Sequence, residues 1–317
     1  MQEIANFYRN LNLHFDRNAL IDSKNKTVAV SDLHIGLEEQ FKRRGVLFPL
    51  HEKTVLINRI VYLLDKYNPK KFIMVGDILH HFNKIPYKTY DVMYEILKLI
   101  YENYKNTKLI LIRGNHDIMI DYVLAECVNR FNDEINEKNA ELRKKYDIEL
   151  KKREITEKSE INENKEELIY VEFPKVDDSD LYEIYEYYKI NNLLYYHGHK
   201  ILNQENVHFK SEIDLMIMGH EHPVLELNNH RFSSYLHIAD YYTFFNDKNY
   251  NMKNILILPS FSNIPSGVKI NELFGNFLSP YLKDIKSESF KEKIYPIIKE
   301  KEIMYFPNLK EIEDYLQ

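Results

Sequence analysis

The sequence predicts an α/β protein whose chemistry sits at strand ends, and three observations carry that reading. Five short apolar runs, in "TVAVSDLHIG", "KFIMVGD", "KLILIRGNHD", "NLLYYHGH" and "DLMIMGHEH", each end in Asp, His or Asn. Only eight glycines occur in 317 residues, and five of them (Gly36, Gly76, Gly114, Gly198 and Gly219) lie in those endings. The stretch 131–168 contains no Gly or Pro and mixes 12 acidic with 9 basic side chains. Short aliphatic runs of this kind match strands buried on both faces. A charged stretch without breakers favours helix, with ion pairs three and four residues apart.

Composition narrows the class. A length of 317 residues, 44% apolar side chains and 29% charged ones suit a soluble globular chain with a sizeable core. No apolar run is long enough to span a membrane, and "MQEIANFYRN" has neither the basic nor the apolar part of a secretory leader. The lone Cys127 cannot form an internal disulfide, which suits a reducing cytoplasm and excludes a thiolate metal site. The net charge of −6 leaves nucleic-acid contact to local basic patches.

Each element then has its own justification. The first strand ends in Asp32 and His34, the second in Asp77, and the third in Asn115, His116 and Asp117. Glycine lets a backbone turn sharply and approach a neighbour closely at such ends. The breaker-free stretch 131–168 follows as a helical insertion, with Ile135, Leu142, Tyr146, Leu150 and Ile155 as a narrow apolar stripe. "FPKVDDSD" reads as the loop returning the chain to the sheet. The fourth strand ends in His197, and the fifth in His220 and His222. Extended i, i+2 spacing would put Asp32 with His34, and His220 with His222, on one side of the chain. Five such endings imply one shared site at the carboxyl edge of a sheet. His14, His51, His208, His230 and His237 stand outside these endings and read as ordinary hydrogen-bonded histidines.

Asp32, His34, Asp77, Asn115, His197, His220 and His222 offer carboxylate, imidazole and amide oxygen donors. That set suits Mn²⁺, Fe²⁺ or Zn²⁺ and lacks the sulfur of a structural zinc site. Seven donors exceed what one tetrahedral ion takes, so two divalent ions with a shared carboxylate are expected, Mn²⁺ before Fe²⁺, Zn²⁺ or Ni²⁺.

The ordered set D-x-H, G-D, G-N-H-D, H-G-H and G-H-x-H resembles the calcineurin-like metallophosphoesterases. The likeness covers residues 11–130 and 190–310, and it implies a four-layer α/β/β/α sandwich. It also implies one ion on Asp32, His34, Asp77 and His222, and a second on Asp77, Asn115, His197 and His220. His116 would face the substrate as proton donor, with Asp117 orienting it. "SDLHIGLEEQFKRRGVLFP", "GDILHHF" and "LPSFSNIPSGVKINELFGNFLSP" are similar to an archaeal and bacterial branch that includes the DNA-ligase-associated enzymes. The tail should close the second sheet and border the site. The 80 positions from Asp117 to His197 exceed the family pattern. The expected organisation is therefore one domain over 1–317, with 131–168 inserted as a passive protrusion or a lid.

Two cations about 3.5–4 Å apart lower the pKa of a bridging water and brace an in-line displacement at phosphorus. The resemblance adds His80, in G-D-x-x-H, as a contact to substrate phosphate; His81 and Asn83 have weaker claims. Arg113 could contact phosphate or Asp32, or merely satisfy the strand edge. Protein phosphatases continue G-D as G-D-x-V-D-R-G, whereas this chain reads "GDILHHF". Lys42, Arg43 and Arg44 could track a phosphodiester backbone. The expected activity is thus a phosphodiesterase or nuclease on DNA, RNA or nucleotides, with DNA-repair or RNA-processing partners. A cyclic-nucleotide phosphodiesterase and a non-catalytic metal-binding scaffold are the alternatives.

Overall fold

The structure is a computed structural model that describes residues 1–43, 45, 52–80, 85–157, 171–202, 213–244, 252–263, 267–270 and 274–316. Two β-sheets stack face to face. The first has strands β1 (Leu13–Asp16), β2 (Ala19–Asp22), β3 (Thr27–Val30), β4 (Lys71–Val75), β5 (Lys108–Ile112) and β6 (Glu183–Tyr185) in that spatial order. A β1–β2–β3 meander leads into the parallel set β3–β4–β5–β6. The second sheet runs from β7 (Tyr187–Ile190) through β8 (Leu193–Tyr196) and β9 (Ile213–Met218) to β12 (Met252–Ile257) and β11 (His230–Ile238). Beyond β11 lie β10 (Pro223–Leu227) with β13 (Val268–Lys269), and β14 (Ile294–Lys299) with β15 (Ile303–Tyr305). Strands β8, β9 and β12 are parallel.

Side-chain alternation decides the layers, because successive residues of a strand point to opposite faces. In β4, Ile73 and Val75 face the second sheet while Phe72 and Met74 face helices. In β9, Leu215 and Ile217 face the first sheet while Met216 and Met218 face the C-terminal segment. Both faces are apolar, so the strands read as continuous aliphatic runs. After α1 (Gln2–Leu11) and α2 (Leu37–Arg43), helices α3 (Glu52–Tyr67) and α4 (Tyr87–Asn103) cover the first sheet with Leu56, Ile60, Leu63, Ile96 and Ile100, spaced for one helical face. Each such side chain contributes about 1.5–3 kcal/mol on burial. On the outer side of the second sheet, Phe277, Tyr281 and Phe290 pack beneath the C-terminal helix Leu309–Leu316, on its Leu309. The sandwich flanked by helices is therefore the expected fold.

One expectation changes. The motif strands do not share one sheet: β3, β4 and β5 belong to the first, and β8 and β9 to the second. Their carboxyl ends meet because the parallel parts of the two stacked sheets bring them to the same end of the sandwich.

The charged stretch does not start a helix of its own at 131. It continues the helix α5 (Ile120–Glu157), which starts three residues after Asp117. Ile120, Val123, Leu124, Cys127 and Phe131 are core residues, and Ile135 packs against them. Farther out the apolar stripe fades, with Leu142 and Tyr146 half-buried and Leu150 exposed; the Ile155 side chain and residues 158–168 lie outside the described residues. The chain returns antiparallel along the same helix. Asn132 bonds both the N–H (2.9 Å) and the C=O (3.1 Å) of Val176, and Asn139 does the same for Phe173 at 2.8 and 3.0 Å. An Arg143–Glu172 ion pair closes the hairpin. The return segment then enters β6 beside β5 from its amino end. The outer half of α5 consequently projects from the edge opposite the strand ends that carry the motifs.

Candidate functional site

The five strand ends deliver their polar side chains to one point. His222 Nε2 lies 3.1 Å from Asp32 Oδ1 and 3.1 Å from His34 Nε2. His197 Nε2 lies 3.2 Å from Asp77 Oδ1 and 3.2 Å from Asn115 Oδ1. Asp32, His34 and His222 form one set whose ligand atoms fall within 4.8 Å of one another; Asp77, His197 and His220 form a second. His197 Nδ1 stands 4.0 Å from Asp32 Oδ1, so the two sets abut.

The backbone achieves this convergence by turning left-handed rather than by staying extended. Asp32, His34, Asp77, His220 and His222 have φ of 57°, 48°, 47°, 73° and 45°. The i, i+2 pairs are therefore brought together by curled loops, which corrects the extended geometry expected for them. A non-glycine residue held in a sparse region costs of order 1–3 kcal/mol and persists only where its surroundings over-determine it. Here they do. Asp32 N–H donates to Gly76 O (3.1 Å), and His34 N–H to Asp77 O (3.0 Å). Ser260 Oγ donates to Asp32 O (2.8 Å), and Val268 N–H to His222 O (3.0 Å). Glycine is required where two of these loops touch. A Cβ on Gly114 would overlap the backbone N and carboxylate of Asp77, and one on Gly219 would overlap Ser31 Oγ and the Asp32 carboxylate.

Charge follows the same geometry. Burial alone would raise the Asp32 carboxyl, yet the His222 and His197 imidazoles hold it down at about 2. Asp77, also buried, is held well below the usual carboxylate range by His197, His34 and His116. Burial lowers His34 to about 3 and His220 to about 4, leaving their nitrogens as lone-pair donors. His197 and His222 behave oppositely: Asp77 and Asp32 overcome burial and raise His197 to about 9, and Asp32 raises His222 as well.

The other sequence-derived residues divide. His116 lies beside the cluster, its Nε2 3.8 Å from Asp77 Oδ2, and burial lowers its pKa. Asp117 is buried, but its oxygens accept the N–H groups of Leu79 and Gly114, both at 2.8 Å. It ties the second and third loops together, and burial beside Asp77 raises it to about 6. Arg113 pairs with Asp121 at 2.6 Å in the first turn of α5. His80 contacts His34, with Nδ1 atoms 3.0 Å apart. Lys42 bonds Glu39 at 3.2 Å, while the Arg43 side chain and residues Arg44, His81 and Asn83 lie outside the described residues. Of the histidines set aside, His237 is a core histidine bonded to Tyr8 at 2.8 Å.

Three residues escaped the sequence reading. Glu221, between His220 and His222, is buried and accepts the N–H groups of Leu278 (3.1 Å) and Ser279 (2.7 Å). Ser279 Oγ donates to Gly198 O at 2.6 Å. Ser31 Oγ donates to Asp32 Oδ2 at 2.7 Å. Alternation would have put Glu221 opposite its neighbours, and that was the available signal. The tail thus borders the site through Ser260, Val268, Leu278 and Ser279.

The donor set fits divalent metal. Two Nε2 atoms turned toward each other beside a carboxylate oxygen, as in His34, His222 and Asp32, can direct their lone pairs to one cation. The second set repeats the chemistry with Asp77, His197 and His220.

A family model described as calcineurin-like phosphoesterase matches residues 26–224. Among solved structures the chain is similar to the Pseudomonas putida nuclease MPE, at 15% identity and a TM-score of 0.46, over 90% of this chain and 91% of that one. No curated protein matches.

Proposed function

We propose that this chain, which belongs to the calcineurin-like phosphoesterase family, hydrolyses phosphodiesters in nucleic acids or nucleotides with two divalent metal ions. Membership makes it a metal-dependent phosphoester hydrolase. The observation that carries the finer reading is the pair of abutting donor sets, Asp32/His34/His222 and Asp77/His197/His220. Asp32, His34, Asp77 and His222 would hold one ion, and Asp77, Asn115, His197 and His220 would hold the other, with Asp77 shared. Ions so held supply Lewis acidity at phosphorus and lower the pKa of bound water toward neutrality. Mn²⁺ is the metal we expect. The loops hold these donors in place and the two buried carboxylates are held ionised, whereas His197 must give up its proton as metal binds. His116, just outside the donor set, gives its proton to the leaving oxygen. "GDILHHF" in place of the protein-phosphatase pattern, and the likeness to the ligase-associated branch, support a nucleic-acid or nucleotide substrate.

The test is hydrolysis of bis(p-nitrophenyl) phosphate by the purified chain with Mn²⁺, Fe²⁺, Zn²⁺ or Ni²⁺, before and after chelation. Metal-dependent release of nitrophenolate is expected. Turnover indifferent to a chelator would remove the metal reading. A panel of single- and double-stranded DNA, RNA and cyclic nucleotides then addresses substrate. Cleavage of cyclic nucleotides alone would overturn the polymer reading.

A further inference from the structure

We propose that His80 is a positioning residue that fixes the proton on the His34 imidazole and holds the plane of His116. The inference rests on the metal reading above, and it concerns a residue outside both of its donor sets, one whose ring nitrogens also lie within 4.8 Å of those of His34 and His116.

The geometry starts at His34. Its Nε2 points at the first donor set, 3.1 Å from His222 Nε2, and its Nδ1 points away from that set, 3.0 Å from His80 Nδ1. A neutral imidazole has one N–H donor and one bare acceptor nitrogen. If Nε2 of His34 offers its lone pair to a cation, the proton must sit on Nδ1. That N–H can only donate to His80 if His80 Nδ1 is bare, so the His80 proton sits on Nε2. One contact thus decides two tautomers. Histidine ligands are commonly oriented by an acceptor on the far nitrogen, usually a carboxylate or carbonyl. Here the acceptor is a second histidine.

His80 is itself well held. Its N–H donates to Ile35 O (3.1 Å) and its C=O accepts from Gln40 Nε2 (3.0 Å). A bridge between Ile35 and Leu79 joins the first and second loops at the same point. The ring then stacks on His116 with centroids 4.5 Å apart and planes 18° from parallel. His34 meets His116 edge-on at 5.3 Å and 88°. A single imidazole therefore braces a metal ligand through its nitrogen and the proton donor through its face. The substrate contact expected for His80 becomes secondary to this positioning.

Two variants separate these uses. His80→Asn keeps an acceptor near the Nδ1 position, whereas His80→Phe keeps the stacking face and removes the acceptor. Calorimetric titration of the metal-free full chain with Mn²⁺ should show one of two sites weakened 10–100-fold in His80→Phe, with most of that loss recovered in His80→Asn. Unchanged Mn²⁺ affinity in His80→Phe together with a raised KM would overturn the positioning role in favour of a substrate contact alone. Nitrogen-15 spectra of the Zn²⁺-loaded wild-type chain provide a check that needs no variant. Protons on His34 Nδ1 and His80 Nε2 are expected, and a proton on His80 Nδ1 would overturn the proposal. Wild-type chain that takes up no Zn²⁺ or Mn²⁺ at all would instead overturn the metal reading on which it stands.

Discussion

Glu221 accepts the backbone N–H of Ser279 at 2.7 Å and that of Leu278 at 3.1 Å, so the residue between His220 and His222 anchors the C-terminal tail. The bond runs from the fifth motif loop to a segment 58 positions later, and Ser279 Oγ carries it on to Gly198 in the fourth loop. Removing the carboxylate strands the buried Ser279 N–H and frees the part-buried Leu278 N–H, at up to about 1–3 kcal/mol each. Glu221→Ala should therefore lower stability by about 2–5 kcal/mol and loosen the His197/His220 side of the site. Urea unfolding with Mn²⁺ titration measures both. A variant as stable as wild type would show that the tail is held elsewhere.

Sharing of Asp77 predicts an asymmetry between two ligand changes. Asp77→Ala should weaken both ions, whereas Asn115→Ala should mainly weaken the ion on His197 and His220. Metal analysis of the dialysed proteins separates the cases. Near-full occupancy of both sites in Asp77→Ala would refute the bridging assignment.

His116 stands 3.8 Å from Asp77 yet belongs to neither donor set of the proposed pair. His116→Ala should keep both metals and slow turnover by roughly 10²–10⁴, the usual worth of general acid catalysis. The loss should shrink with nitrophenyl esters, whose leaving groups need little protonation. Loss of metal from this variant would make His116 a ligand instead.

How much of this was legible follows from what each residue does. The motif strands could be read because burial on both faces makes β4 and β5 unbroken aliphatic runs, and their ends change abruptly to Asp and Asn. The left-handed backbone at Asp32, His34 and His222 could not be read, since nothing in D-x-H or H-x-H distinguishes a curl from an extended pair. The part Asp117 plays in joining two loops could not be read, because its bond to Leu79 depends on a loop 38 positions away. Glu221 was passed over for the same reason, its partners lying far along the chain. The start of the charged stretch was misplaced because charge density rises after Phe131, while the helix carrying it begins at Ile120.

Acid stability should depend on His237. Burial depresses its pKa from 6.5 to about 3, outweighing the pull of Asp240. A depressed pKa means that the folded state keeps the ring neutral while the unfolded chain takes up a proton. The stabilising contribution is complete above pH 6.5 and is lost as pH falls from 6.5 toward 3. At pH 5 the loss amounts to about 2 kcal/mol. His237→Leu removes the Tyr8 bond, a constant offset, and should flatten the decline between pH 7 and 5 relative to wild type. Parallel declines in chemical denaturation would assign the acid sensitivity to other histidines.

The outer half of α5 should be dispensable, and the inner part should not. From Ile120 the helix climbs past the sheet in about 18 Å to Asn132, using 1.5 Å per residue, and there it meets the return chain at Val176. Its remaining turns extend beyond the edge opposite the metal donors, so a lid over the site is not what this direction supports. Arg143 and Glu172 already touch. A short Gly/Ser linker replacing 144–170 can therefore join them without strain, and loop-closure entropy changes slowly with length. That variant should match wild type in thermal transition and in its ratio of turnover on DNA to turnover on a nitrophenyl diester. Replacing 131–168 instead deletes buried Phe131 and the Asn132 clamp on Val176; loss of such an aromatic alone costs about 3–5 kcal/mol. A shifted DNA-to-diester ratio in the shorter deletion would show that the arm reaches substrate after all. Equal stability of the two deletions would show that α5 is anchored wholly by its first turns.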